Sequence, residues 1–319
     1  MPPAGRAPVA GCRADHPGVP TAGSAGPGTR PTGPARRTRP FAVRPLRGHR
    51  TARARLPSGH VLIRTFGIAR SLATYHGIPG RQRRMRALYG QFLGPGDLAF
   101  DIGAHAGNRV RAWRGLGARV VAIEPQPDFV RLLRLFFDRD PEVTVVPAAL
   151  GARPGTARLG ISRATPTVSS MSETWRRTVA DDAGFARVRW DESVPVPVTT
   201  LDELAATHGV PAFCKIDVEG FEADVLAGLT HPLPALSFEY LPAAHDAALA
   251  ALDRVESLGR YVYRYSPVET MRWDPTAGGR WLDADELRAL LDRRRPLGRS
   301  GDVYARAAPS AAGDGPGPS

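Results

Sequence analysis

The sequence predicts an α/β fold in which a mostly parallel sheet is doubly wound, with helices on both faces. Short apolar runs, such as residues 98–102 and 119–123, have the length of buried strands. Stretches of helical length and periodicity follow them and end at glycines or charged turns. Strands that alternate with helices imply right-handed crossovers, and these require a parallel sheet that is covered on both sides.

Turn residues mark where the individual elements begin and end. Gly94, Pro95 and Gly96 separate the first helix from the first central strand, and Gly117 is predicted to end the second helix. A short strand is predicted at residues 61–64. The other predicted strands are residues 98–102, 119–123, 143–146, 212–218, 236–240, 260–265 and 302–306. The predicted helices are residues 80–93, 107–116, 129–137, 201–208, 221–229, 243–258 and 283–293.

One long segment interrupts this alternation. Residues 161–197 mix serine, threonine, aspartate and arginine with the large aromatic residues Trp175, Phe185 and Trp190. A segment of this length between regular elements is usually a functional lid or a locally disordered insertion. We therefore expect a lid or an insertion within the domain at this position.

Charge is distributed unevenly along the 319 residues. Residues 1–55 contain eleven arginines and one acidic residue, Asp15, so they carry most of the net charge of +12. They are rich in Pro, Gly and Ala, and bulky apolar side chains are scarce before Phe41, so a disordered basic leader is predicted. The lack of interleaved aromatic residues disfavours nucleic-acid binding. The folded domain is expected at residues 56–306, and residues 307–319 resemble a second disordered tail.

Neither the apolar runs nor the cysteines indicate a membrane or secreted protein. No apolar run has the ~18 residues that a transmembrane helix needs, and the N-terminus lacks the apolar stretch of a secretory signal. The two cysteines, Cys12 and Cys214, do not suggest a disulfide framework. A cytoplasmic location is the expectation, and the oligomeric state is left open.

The turn after the first central strand has the composition of a ligand-binding loop. Glycines let a ligand approach the backbone, and the following helix presents free N–H groups. The spacing is neither the G-x-G-x-x-G of dinucleotide sites nor a phosphate-binding loop with Gly-Lys-Ser/Thr. The candidate cofactor-binding residues in this turn are Asp101, Gly103, Ala104, His105, Gly107 and Asn108.

Two further strand ends complete the predicted cofactor site. Glu124 ends the second strand and is followed by Pro125, and a carboxylate at this place can accept hydrogen bonds from ribose hydroxyls. The third strand is followed by Ala149 without an acidic residue, so an adenine contact there would be apolar or through the backbone. Together these features suggest S-adenosylmethionine as the cofactor.

The only lysine of the chain, Lys215, stands among 43 basic residues and is followed closely by Asp217 and Glu219. Alternation along a strand would put these three side chains on one face, and Glu239 near the end of the next strand is a plausible fourth member. The position suggests that a compact ammonium is needed where arginine would not serve. A purely structural ion-pair network is the alternative.

The motifs resemble those of the FkbM family of S-adenosylmethionine-dependent methyltransferases. They run from Phe100-Asp101-Ile102-Gly103-Ala104 through Ala122-Ile123-Glu124-Pro125 and Val198-Thr199-Thr200-Leu201-Asp202-Glu203-Leu204 to Lys215-Ile216-Asp217-Val218-Glu219-Gly220. The similarity covers about residues 95–240. It implies the class I methyltransferase fold, with seven strands and an antiparallel last strand, and O-methylation of hydroxyls on sugars or secondary metabolites. His105 departs from the asparagine more usual in the family.

The resemblance assigns the reacting end of the site to the lysine strand. Asp217 or Glu219 would accept the proton of the acceptor hydroxyl, and Lys215 would orient the carboxylate or, with a pKa lowered by burial, act as the base itself. A magnesium ion bridged by Asp217 and Glu219 is a further alternative. A non-catalytic cofactor-binding protein and a nicotinamide-dependent oxidoreductase are the competing function classes.

Overall fold

A computed structural model describes residues 79–162, 169–179, 188–268 and 270–309. The predicted strand at residues 61–64, the basic leader and the tail from residue 310 lie outside these ranges. The described helices are α1 (Arg81–Tyr89), α2 (Asn108–Arg114), α3 (Pro127–Phe137), α4 (Glu173–Val179), α5 (Leu201–His208), α6 (Glu222–Ala227), α7 (His245–Leu258) and α8 (Ala284–Arg294). The described strands are β1 (Leu98–Ile102), β2 (Arg119–Ile123), β3 (Val143–Val146), β4 (Ala149–Leu150), β5 (Gly155–Ile161), β6 (Glu192–Thr199), β7 (Phe213–Ile216), β8 (Ala235–Tyr240), β9 (Tyr261–Pro267) and β10 (Gly301–Ala307).

The main sheet has seven strands in the order β3-β2-β1-β7-β8-β10-β9. Strands β3, β2, β1, β7 and β8 are parallel, and β10 lies antiparallel between β8 and β9. From β1 the chain first adds strands on one side of the sheet, β2 and β3, and then on the other side, β7 and β8. Open α/β sheets bind ligands at such a topological switch point. This confirms the predicted class I methyltransferase architecture with an antiparallel last strand.

Alternation along β1 explains why the sheet is covered on both faces. Phe100 and Ile102 point into one apolar core, whereas Ala99 points into the other. All five residues of β1 are buried. A strand buried on both faces needs helices above and below it, and its apolar composition follows from that position.

Local signals fix the starts of two helices that frame the sheet. The Thr200 hydroxyl accepts the Glu203 N–H at 3.1 Å and caps α5. Asp283 and Glu286 form a reciprocal capping box at the start of α8. Such caps satisfy N–H groups that have no partner within the helix.

The structure differs from the predictions in several places. Strands β4, β5 and β6 form a separate three-stranded sheet that was not predicted. The expected irregular segment over residues 161–197 contains helix α4 and the start of strand β6 at Glu192. Strand β7 ends at Ile216 and not at residue 218. Helix α2 ends at Arg114 with Gly115 as its C-cap, so it stops before the predicted end at Gly117. In the described part of the chain, no helix has the length and apolar character of a membrane span.

Candidate active site

A cleft lies where β1, β2, β7 and β8 end. It opens to solvent, and with the open solvent at its entrance included it contains about 910 Å³ of space not filled by protein atoms. Its walls include Ile102, Ile123 and Glu239 from the strand ends, and Met171 from the segment before α4. The cleft therefore occupies the position that the sheet order predicts for a ligand.

Glu124 stands at the end of β2 and is almost fully buried. Its carboxylate accepts the His105 N–H and the Gln126 N–H, each at 2.8 Å. Burial raises the pKa of Glu124 to about 7, and these two hydrogen bonds counteract the shift only in part. The two backbone bonds fix the carboxylate in one orientation, and its remaining lone pairs are available to a ligand hydroxyl.

The glycines of the β1–α2 turn allow a close approach between strand ends. Gly103 has a left-handed φ of 78°, and a Cβ at this position would lie 2.0 Å from the carbonyl oxygen of Asp217. Gly107, with φ of 73°, is the N-cap of α2. Asn108 follows it, is 4% exposed and lines the cleft. Its Nδ2 has no hydrogen-bond partner among the described residues, so a donor there can serve a ligand.

The structure brings six of the nine predicted cofactor-binding residues to the cleft. These are Gly103, His105, Asn108, Glu124, Pro125 and Ala149. Asp101, Ala104 and Gly107 do not line it. Asp101 is fully buried beneath the site, and burial raises its pKa to about 6. Its direct contact with a cofactor stays a prediction that the cleft lining does not support.

Lys215 is completely buried behind the cleft rather than facing it. Its Nζ lies 2.7 Å from Oδ1 of Asp302 and 3.6 Å from Oδ2 of Asp217. Burial alone would lower the pKa of Lys215, but the two carboxylates outweigh it and raise the pKa above its usual value. The hypothesis that a lowered pKa makes Lys215 a base is therefore wrong, and its contacts are those of a buried ion-pair network.

Two members of this network were missed in the sequence. Arg109 on α2 is 5% exposed and lies 2.9 Å from Oδ2 of Asp217. Asp302 on β10 lies 87 residues from its partner Lys215. Arg109 directly follows the loop motif and could have been suspected, whereas only the pairing of β10 with β8 brings Asp302 to the network.

Asp217, Glu219 and Glu239 meet at the mouth of the cleft. Each has a carboxylate oxygen within 4.8 Å of an oxygen of the other two. Lys215 and Arg109 lower the pKa of Asp217, although burial opposes them.

The pKa of Glu239 is raised well above its usual value by burial and then by repulsion from Glu219 and Asp217. Its Oε2 is buried without a hydrogen-bond partner among the described residues. The pKa shifts of Asp217 and Glu239 are therefore opposite in direction. Of the predicted catalytic residues, only Lys215 is absent from the cleft wall.

Comparison with solved structures gives several distant similarities to methyltransferases. An O-methyltransferase from Bacillus cereus, in complex with SAH, is 10% identical with a TM-score of 0.39, covering 79% of this chain and 92% of that one. Precorrin-6y C5,15-methyltransferase from Geobacter metallireducens is 11% identical with a TM-score of 0.36, covering 70% and 87%. The order and direction of the strands in the main sheet define the fold independently of these scores.

Sequence comparison is more specific. The hexuronic acid methyltransferase AglP of Haloferax volcanii is 29% identical over 144 residues, which are 44% of this chain. The match spans 54% of that relative, so the chain covers about half of its length. The model of the methyltransferase FkbM domain matches residues 101–265, which include the strand ends and acids described above. The chain belongs to the family defined by the methyltransferase FkbM domain.

Proposed function

We propose that the protein transfers a methyl group from S-adenosylmethionine to a hydroxyl of a sugar or a related small molecule. The observation that carries the proposal is that one cleft joins a nucleoside-type site at Glu124 to a group of carboxylates around Glu239. A nicotinamide-dependent oxidoreductase would need a G-x-G-x-x-G loop, and this sequence does not contain one. A binding protein without catalysis does not need an acid in the cleft wall with a pKa raised well above its usual value, as Glu239 has.

The residues present fit this cofactor. The Glu124 carboxylate suits the two ribose hydroxyls, and the orphaned Nδ2 of Asn108 suits a carboxylate. Ala149 and Leu150 offer an apolar wall for the adenine ring. When bound, S-adenosylmethionine supplies an electrophilic methyl group on a positively charged sulfur. The acidic mouth of the cleft is electrostatically complementary to that charge.

The Glu219–Glu239 pair is the better candidate for the general base. Two neighbouring carboxylates in a buried site share a proton, because ionising both is unfavourable. One of them then stays ionised and can accept the proton of the acceptor hydroxyl. Asp217 is already neutralised by Arg109 and Lys215, which makes it the weaker base. We assign it the role of holding the mouth of the site in place.

A sugar hydroxyl is the proposed acceptor class. Support comes from the relative that acts on a hexuronic acid, and from the carboxylates at the cleft mouth, which can accept hydrogen bonds from a polyol. A magnesium ion among Asp217, Glu219 and Glu239 is the alternative use of the same oxygens. The two cations that already contact Asp217 reduce the need for it.

The experiment is a methyl-transfer assay with radiolabelled S-adenosylmethionine. D-Glucuronic acid, D-galacturonic acid and D-glucose are the acceptors, and each reaction is run with EDTA and with added magnesium. We expect label in a sugar product, at equal rates under both conditions. Calorimetry that detects no binding of S-adenosylmethionine would refute the proposed cofactor, and turnover only with magnesium would favour the metal alternative.

A further inference from the structure

A short segment outside the family motifs contacts both ends of the cleft. We call the described residues 169–175 the strap; Ser169 and Met171 line the cleft. The Ser169 hydroxyl donates to Oε1 of Gln126 at 2.9 Å, and the Gln126 N–H in turn holds Glu124. The Ser170 hydroxyl donates to the carbonyl oxygen of Glu219 at 2.7 Å. The strap thus joins the cofactor end to the carboxylate end.

Ser170 is anchored on several sides. It is 1% exposed, and its backbone exchanges hydrogen bonds with Gly160 of β5 at 3.1 and 3.2 Å. Its hydroxyl oxygen also accepts the Ser172 N–H at 3.0 Å while donating to Glu219. A hydroxyl with both its donor and one acceptor position engaged has a fixed direction. Strand β5 is therefore connected to the Glu219 backbone through one side chain.

The turn that Ser170 contacts is conformationally unusual. Glu219 has a φ of 54°, in the left-handed region that non-glycine residues rarely adopt. Gly220 follows with φ of 83°, and a Cβ there would lie 1.9 Å from the indole of Trp175. Glu222 accepts the N–H groups of Val218 and Gly220 from the other side. Such a conformation persists only when the surroundings fix it.

We propose that Ser170 is a positioning residue. Its hydrogen bond to the Glu219 carbonyl, supported by Trp175 against Gly220, holds the Glu219 side chain beside Glu239 and Asp217. Without it the turn can relax out of the left-handed conformation, and the carboxylate then points elsewhere. The role of these carboxylates rests on the proposed function, whereas the anchoring of the strap can be tested independently of it.

The first test is limited proteolysis of full-length protein. Trypsin can cut after Arg176 and Arg177, which follow the strap directly, and mass spectrometry identifies these cuts. Ser170→Ala should be cleaved there about fivefold faster than wild type, the ratio that loss of one ordinary hydrogen bond gives. Ser170→Thr keeps the hydroxyl and should restore resistance. Ser237→Ala, which removes another buried serine hydroxyl, is the matched control and should behave as wild type.

The second test measures the charge near the transferred methyl group. Calorimetry in EDTA gives the affinities for S-adenosylmethionine and for S-adenosylhomocysteine, which differ in the positive charge on sulfur. If Ser170→Ala displaces the Glu219 carboxylate, affinity for S-adenosylmethionine should fall relative to affinity for S-adenosylhomocysteine. Glu219→Gln should change this ratio in the same direction. Ser170→Thr should return the ratio toward wild type. A merely structural defect would weaken both ligands equally and leave the ratio unchanged.

An unchanged ratio, or cleavage of Ser170→Ala at the wild-type rate, would overturn the proposal. Failure of the wild type to bind either ligand would instead overturn the proposed function. In that case the cleavage rates still decide whether Ser170 anchors the strap.

Discussion

The two ends of the cleft are built in different ways. At the cofactor end, Glu124 is held by the backbone of His105 and Gln126, which lie 19 and 2 residues from it in the sequence. At the carboxylate end, Lys215 needs Asp302 from the last strand, and Asp217 needs Arg109 from α2. The first end depends on local geometry, while the second depends on contacts between residues far apart in the sequence.

This difference has an energetic consequence. A local hydrogen-bonded carboxylate can be changed with effects confined to ligand binding. A buried ion-pair network links catalysis to folding, because removing one partner leaves an uncompensated charge in the interior. Variants at the two ends should therefore separate into those that alter affinity and those that alter turnover or stability.

The largest effect is expected from the double variant Glu219→Gln/Glu239→Gln, which leaves the pair without an ionisable carboxylate. If the Glu219–Glu239 pair is the base, turnover should fall by roughly 10² to 10⁴. Asp217→Asn should cost less, because Lys215 and Arg109 lower the pKa of Asp217 and make it a weaker base. Asp224→Asn, an exposed carboxylate on α6 that does not line the cleft, is the control. Wild-type turnover in the folded double variant would exclude the Glu219–Glu239 pair as the base.

The next largest effect is on stability, in Asp302→Ala. Lys215 would lose its 2.7 Å partner inside the protein, and breaking a buried pair costs about 3–5 kcal/mol. Urea unfolding monitored by circular dichroism measures the change. Asp253→Ala removes the exposed partner of Arg288 and should cost about 1 kcal/mol or less. Equal losses in both variants would show that the Lys215 network contributes no more than a surface pair.

The same contrast explains how much the sequence could predict. Apolar runs and glycines predicted where the main strands lie along the chain, because a strand buried on both faces must be apolar throughout. The location of Glu124 at the end of the second strand was predictable, because the apolar run that forms this strand ends directly before it. Asp302 was not, because its pairing with Lys215 depends on β10 lying beside β8 in one register.

The second sheet shows another limit. Strand β6 mostly alternates between exposed and less exposed residues and contains proline, whereas β5 contains glycine and is buried only over its last three residues. Neither strand is therefore a continuous apolar run. Their antiparallel pairing joins residues 155–161 to residues 192–198, and it depends on contacts between segments that are distant in the sequence. The positioning role proposed for Ser170 could not be predicted for the same reason. It follows from the contact of Ser170 with Glu219, and a single serine in a polar segment has no distinguishing sequence pattern.

At the cofactor end, Glu124→Ala should reduce affinity for S-adenosylmethionine with little loss of stability. Removing a charged hydrogen-bond partner costs on the order of 1.5–3 kcal/mol, which corresponds to about tenfold or more in affinity. Isothermal titration calorimetry measures the affinity, and thermal unfolding checks the fold. The exposed Glu142→Ala serves as control. An unchanged affinity in the folded variant would contradict the ribose contact.

The smallest effect is the pH dependence of cofactor affinity, which tests the proposed contact between Glu124 and the ribose more closely. Burial raises the pKa of Glu124 to about 7, so its carboxylate gains a proton as the pH falls below neutrality. Ribose hydroxyls donate to the ionised form, so cofactor affinity should rise with pH through this value, by up to about tenfold across two pH units centred on the pKa. The ligand's own amino group also titrates, and Glu124→Gln provides the correction because it cannot ionise. A pH dependence that persists unchanged in Glu124→Gln would show that another group controls binding at this end of the cleft.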